Sequence, residues 1–119
     1  SPLLRETPLH ASIDRAFGFA EQCGVKDAAV LAMLKADGRV LDASQRIWAQ
    51  AEYLRALTLR EGSEAKLAGQ LGALSARFLR DAGWYECRGG DGAVSRDDMP
   101  STTPYHLATC LEGLNQANF

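Results

Sequence analysis

One pattern occurs twice in this chain and limits its folds more than any other feature. An apolar helical stripe ends at Gly24-Val25, a loop runs to Asp37-Gly38-Arg39-Val40, and a new helical pattern starts. Further on, a stripe ends at Gly83-Trp84, a loop runs to Asp91-Gly92-Ala93-Val94, and another helical pattern follows. The two turn glycines stand 92 − 38 = 54 residues apart. A period of that length, built from helix–loop–helix units, points to a helical array or a toroid of hairpins. The long loops of such an array gather on one face, where sites are usually built.

The stripes place four helices. The first follows Thr7-Pro8, with Thr7 as cap and Pro8 at the first helical position, and carries Leu9, Ile13, Phe17 and Ala20 up to Gly24. The second starts between Ser44 and Trp48 and runs to about Glu61, where Gly62 breaks it. Ser63 caps the third, which carries Leu67, Leu71, Leu74 and Phe78 and stops at Gly83. The fourth takes Thr103 as cap, Pro104 next, and Leu107, Leu111 and Leu114 as its stripe. Between helices, residues 25–43 either continue as helix through Ala, Leu and Met or pair VLAML with RVL across Asp37-Gly38. In residues 84–102, WYECR and AVS flank GGDG as a second hairpin. The expectation is an all-α fold of helical hairpins with short β-hairpin loops, in one segment spanning 1–119.

The bulk numbers narrow the partners. A chain of 119 residues holds at most one domain. Its net charge of −2 speaks against nucleic acid and anionic membrane surfaces. The apolar runs are too short to span a bilayer, and SPLLRETPLH lacks the pattern of a signal peptide. Cys23, Cys87 and Cys110 are odd in number and show no CxxC spacing, which favours a reducing, cytoplasmic setting. With two histidines far apart, the sequence holds no zinc pattern, and neither a metal nor a cofactor is expected. TPLHAS and TPYHLA approach an ankyrin signature, but no further copies stand where that array needs them.

His106 falls in the first turn of the last helix. The positive helix end disfavours imidazolium there by about 0.3–1 kcal/mol, and a neutral imidazole can accept a proton as a general base must. The plainer reading is a partly exposed histidine beside a cap, and both stay open on residue type alone. In RIWAQAE, Trp48 and Glu52 lie four apart and share a helix face. A flat indole beside a carboxylate suits a sugar, covering C–H groups while accepting hydroxyl hydrogens. It equally suits a core tryptophan and a glutamate paired with Arg55 or Arg46. Counting from the turn glycines, Glu52 and His106 each lie 14 residues on (52 − 38 and 106 − 92), so superposed units would give them matching places. Trp84 is expected to pack over the preceding helix end, with Arg88, Asp91, Arg96, Asp97 and Asp98 solvated. His10 is expected to be structural, with no acidic partner in register.

Taken together, RIWAQAEYLRAL, GWYECRGGDGAV and MPSTTPYHL resemble the C-terminal portion of the N-acylglucosamine 2-epimerase superfamily, most securely over residues 37–114. That group includes cellobiose 2-epimerases and aldose–ketose isomerases acting on mannose or mannose 6-phosphate. The resemblance implies an (α/α)6 barrel, of which this chain supplies roughly the last third. It implies that His106 is the family's C-terminal catalytic histidine, and that Trp48 and Glu52 line the sugar pocket. Arg46 and Gln50 match the same motif as further substrate-binding residues, and Ala49 stands where the family has Pro. The family's other catalytic histidine and its sugar-binding arginine have no match here. The implied chemistry is histidine-mediated proton transfer on a ring-opened sugar. The isolated chain is expected to be inactive, and to need the remainder of the barrel or to self-associate. The alternative is a non-catalytic helical interaction module.

Overall fold

The computed structural model describes residues 8–119. Its first helix, α1, spans Pro8–Gly24. Four short strands follow: β1 (Val25–Lys26), β2 (Ala29–Val30), β3 (Met33–Leu34) and β4 (Val40–Asp42). Then come β5 (Gln45–Arg46), α2 (Ile47–Thr58) and α3 (Glu64–Phe78). The second loop region holds β6 (Leu79–Arg80), β7 (Gly83–Trp84), β8 (Cys87–Arg88) and β9 (Val94–Arg96), and α4 (Thr103–Gln116) closes the chain. The expected cap Thr7 lies outside the described residues.

Over the described residues the fold is therefore mixed α/β, not all-α: four helices and nine short strands, 52% helical and 18% strand. The connections are long enough to satisfy their own backbone groups, and they do so in small antiparallel ladders rather than irregular loops. The two expected hairpins are present, as β3–β4 and β8–β9. Two more have no counterpart in the sequence reading, β1–β2 and β6–β7, and β5 adds a third strand beside β8. The third helix also ends at Phe78, five residues earlier than Gly83, because Leu79–Arg80 turn into strand against Gly83–Trp84.

From β1 to β4 the internal repeat holds residue for residue in the backbone, but Gly24 corresponds to Phe78 rather than to Gly83, which matches Ala29. β1, β2, β3 and β4 recur as β6, β7, β8 and β9 at the 54-residue interval that also separates Glu52 from His106. Gly38 and Gly92 both adopt positive φ, +92° and +84°. In each turn the aspartate before the glycine accepts from the backbone N–H after it at 3.0 Å, Asp37 from Arg39 and Asp91 from Ala93. The Leu31 N–H donates to the Gly24 carbonyl at 2.8 Å, and the equivalent Tyr85 N–H donates to Phe78 at 2.8 Å.

The core lies among α2, α3 and α4, where Ala51, Leu54, Leu57, Leu67, Leu74, Cys110 and Leu114 are buried together. Each fully buried leucine contributes about 1.5–3 kcal/mol relative to exposure. Gly113 lets α2 and α4 approach closely, since a Cβ there would meet Thr58 Oγ1 at 3.1 Å and Arg55 Cγ at 3.4 Å. Two expected stripes are only partly buried. On α1, Leu9 and Ile13 are exposed and only Phe17 packs against the core. On α4, Leu111 is exposed, and Leu107, Cys110 and Leu114 face inward instead. Among the described residues no helix is long and apolar enough to cross a membrane.

Candidate functional site

Two helices bring the site together from the same depth in each unit. Trp48 and Glu52 occupy the first two turns of α2, and His106 is the fourth residue of α4. That is one position deeper than expected, because the helix flank is Thr102 and Thr103 is already helical. Thr102 makes no side-chain cap on α4, and Thr103 Oγ1 turns to Glu86.

His106 Nδ1 lies 2.8 Å from Glu52 Oε1. An ionised carboxylate only accepts hydrogen bonds, so Nδ1 carries the proton and Nε2 of the neutral ring is left with its lone pair. The imidazole sits between two aromatic rings. Trp48 is tilted 37° to it at 5.6 Å between centroids, and Tyr105 meets it edge-on at 5.6 Å. His106 and Glu52 side chains are 31% and 37% exposed, and Trp48 is more open still. The cluster thus faces solvent with an imidazole held by a carboxylate, a flat apolar ring and one carboxylate oxygen that has no hydrogen-bond partner among the described residues.

The remaining sequence-expected residues do not join this cluster. Gln50 is 1% exposed and its amide is spent on backbone: Oε1 accepts from the Val30 N–H at 2.8 Å, and Nε2 donates to the Val30 and Arg46 carbonyls at 2.9 Å each. It pins β2 to the start of α2 and has no donor hydrogen left for a substrate. Arg46 is exposed at the end of β5, and its charge helps hold the Asp42 carboxyl below its usual range, after the larger effect of the Ser44 hydroxyl and N–H. Glu52, expected to bind sugar hydroxyls, has committed one of its oxygens to His106.

His10 does have an acidic partner, contrary to expectation. Its Nε2 lies 3.2 Å from Asp14 Oδ2, one helical turn on, and Asp14 is bridged in turn by Arg60 at 3.0 Å. Arg88, expected in solvent, is half-buried and ties the Arg77 and Gly92 carbonyls together. A cavity of about 460 Å³ lies between the two loop regions, lined in part by Lys26, Gln45, Arg77 and Arg88; His106, Trp48 and Glu52 do not line it. We assign the site by the chemistry of the histidine cluster rather than by this cavity, whose arginines already serve Asp27 and backbone carbonyls. No group of three His, Cys, Asp or Glu side chains able to hold a metal ion gathers among the described residues.

Sequence reasoning misses Glu86. It is 7% exposed, a carboxylate buried at the start of both site helices. Trp84 Nε1 donates to it at 2.9 Å, so Trp84 is anchored through its indole N–H. The available signal is the adjacency of Trp84, Tyr85 and Glu86 after a turn glycine, which suggests more than the packing of Trp84.

No protein-family model matches the chain, and no curated protein matches it in sequence. Among solved structures the chain is similar to a crystal structure of D-mannose isomerase, with TM-score 0.72 and 20% identity. The match covers 96% of this chain and 33% of that one. The chain thus has the fold of part of a sugar isomerase and spans about a third of that neighbour's length.

Proposed function

We propose that these residues form part of a sugar isomerase or epimerase in which His106 transfers the proton beside the substrate carbonyl. The observation that carries this reading is the 2.8 Å contact between His106 Nδ1 and Glu52, which leaves Nε2 available for proton exchange. The fold shared with D-mannose isomerase supports the substrate class. On a ring-opened aldose, Nε2 takes the proton from C2 and the electron pair delocalises onto the carbonyl oxygen as an enediolate. Delivery of that proton to C1, with transfer of the hydroxyl proton from O2 to O1, gives the ketose. Delivery of a proton to the opposite face of C2 gives the epimer and requires a second group. Trp48 supplies a flat surface for sugar C–H groups, and the second Glu52 oxygen accepts a hydroxyl hydrogen.

The site is open to solvent, with His106, Glu52 and Trp48 all partly exposed. Leu9, Ile13 and Phe19 on α1 are exposed, as are Tyr105 and Leu111 on α4, and Trp48 is open on one face. Further segments of a longer protein, or a second copy of this chain, would cover such surfaces and shield the reacting carbon from water.

The test is solvent exchange. The full-length protein containing these residues is incubated with mannose or glucose in D2O, and deuterium at C1 and C2 is followed by NMR. Incorporation that disappears in His106→Ala supports the reading. No incorporation above the uncatalysed rate, with the histidine intact, would leave a non-catalytic helical module as the better description.

A further inference from the structure

Glu86 joins the starts of the two helices that carry the site. Its backbone carbonyl accepts from the N–H of Ile47, the first residue of α2, at 3.1 Å. Its carboxylate oxygens both lie 3.0 Å from Oγ1 of Thr103, the first residue of α4, which is itself 2% exposed. Its own N–H donates to the Arg96 carbonyl at 2.9 Å, so the residue is also fixed within the β8–β9 hairpin. Trp84 Nε1 completes the shell at 2.9 Å. Burying a carboxylate is costly unless its lone pairs are hydrogen-bonded. Here the Thr103 hydroxyl, with one hydrogen to share between the two oxygens, and the Trp84 N–H supply two donors, and the carboxylate also lies at the positive end of α4.

From this arrangement we infer that Glu86 is a positioning residue, which sets α2 against α4 and thereby sets the separation of Glu52 and His106. The role rests on the proton-transfer reading of His106. Glu52 lies five residues beyond Ile47 and His106 three beyond Thr103, so each catalytic-side group hangs within roughly 8 Å of rise from its anchor. Error at the anchors is passed to the imidazole with little chain between to absorb it. A misplacement of about 1 Å at a reacting group lowers turnover by up to about 100-fold.

Thr103→Val removes the hydroxyl and keeps the branched shape, and Glu86→Gln keeps the shape and removes the charge. Both are made in the full-length protein, with Thr103→Ser as the conservative replacement. The expected result is a loss of about tenfold or more in kcat for sugar exchange with KM changed by less than about twofold, and recovery in Thr103→Ser. In parallel, the ring 15N shifts of His106 should move from a single Nδ1–H tautomer in the parent to a mixture in Thr103→Val and Glu86→Gln. The tautomer is read without substrate, so it tests the positioning role even if the parent exchanges no sugar proton. Parental tautomer and kcat in both variants would overturn the inference. So would a Thr103→Ser variant as impaired as Thr103→Val, or loss of the fold in both Thr103→Val and Glu86→Gln, which would make Glu86 a general structural anchor.

Discussion

Glu52 and His106 are 54 residues apart in sequence and meet at 2.8 Å, and 54 residues is also the interval at which the backbone pattern of this chain repeats. Each residue occupies the same place in its unit, and the close approach of α2 and α4 at Gly113 turns that equivalence into contact. One unit supplies the carboxylate and the other the imidazole. If the contact orients the base, Glu52→Gln keeps an acceptor for Nδ1–H but loses the charge. A hydrogen bond to a charged group is worth about 1.5–3 kcal/mol, so kcat should fall by roughly 10- to 100-fold. His106→Asn should remove turnover altogether, with the fold retained. Steady-state kinetics of sugar exchange and far-UV circular dichroism read the two effects separately. A Glu52→Gln enzyme with parental kcat would show that the contact is incidental.

The pairing is legible in the sequence because both residues can be counted from turn glycines with the same backbone demand. The ladders β1–β2 and β6–β7 are not legible. The first turn uses Asp27 and Ala28 at positive φ, +51° and +59°, and no glycine marks it. The exposure of α1 escapes the sequence for a different reason. Its stripe of Leu9, Ile13 and Phe17 is a genuine amphipathic pattern, but a stripe says that a face wants covering and not what covers it. The motif alone assigns Gln50 to substrate, and only the position of Val30 shows why an amide stands there.

The Gln50 amide makes three hydrogen bonds to backbone in a buried setting, which leads to a stability effect separable from chemistry. Gln50→Leu leaves the Val30 N–H and carbonyl without these partners and should cost about 1–3 kcal/mol. Urea unfolding monitored by tryptophan fluorescence measures it. Turnover per folded molecule should change far less than in Glu52→Gln. The reverse order of effects would return Gln50 to the substrate.

Alkaline pH should destabilise the fold through Cys110. Burial, with the Glu52 charge adding to it, raises the thiol from its ordinary value to about 11. Burial and the Glu21 carboxylate push Tyr53 the same way. A raised folded-state pKa means that the folded form holds its proton more tightly than the unfolded form. The contribution is complete below the unfolded thiol pKa of about 8.5 and is lost as pH rises toward about 11. Urea midpoints should therefore decline between about pH 8.5 and about pH 10.5, and Cys110→Ser should decline less over that window. The native thiol should also resist a disulfide reagent at mildly alkaline pH until the protein is unfolded.

The repeated turn offers a test in which strain and crowding can be told apart. Gly38 and Gly92 share a positive φ, but a Cβ on Gly38 would stand 2.9 Å from Cys23 Sγ, while one on Gly92 meets nothing within 4 Å. Gly92→Ala should therefore show backbone strain alone, about 1–2 kcal/mol. Gly38→Ala should cost more, because Cys23 and α1 must shift as well. Gly72 lies within α3, where an added methyl group would meet nothing within 4 Å and the backbone is ordinary helix, so Gly72→Ala should stabilise by about 0.5–1 kcal/mol. Thermal melts of the three variants should rank Gly72→Ala above the parent, then Gly92→Ala, then Gly38→Ala. Equal losses at the two turns would mean that Cys23 does not press on the first one, and that α1 is held to the array more loosely than its contacts imply.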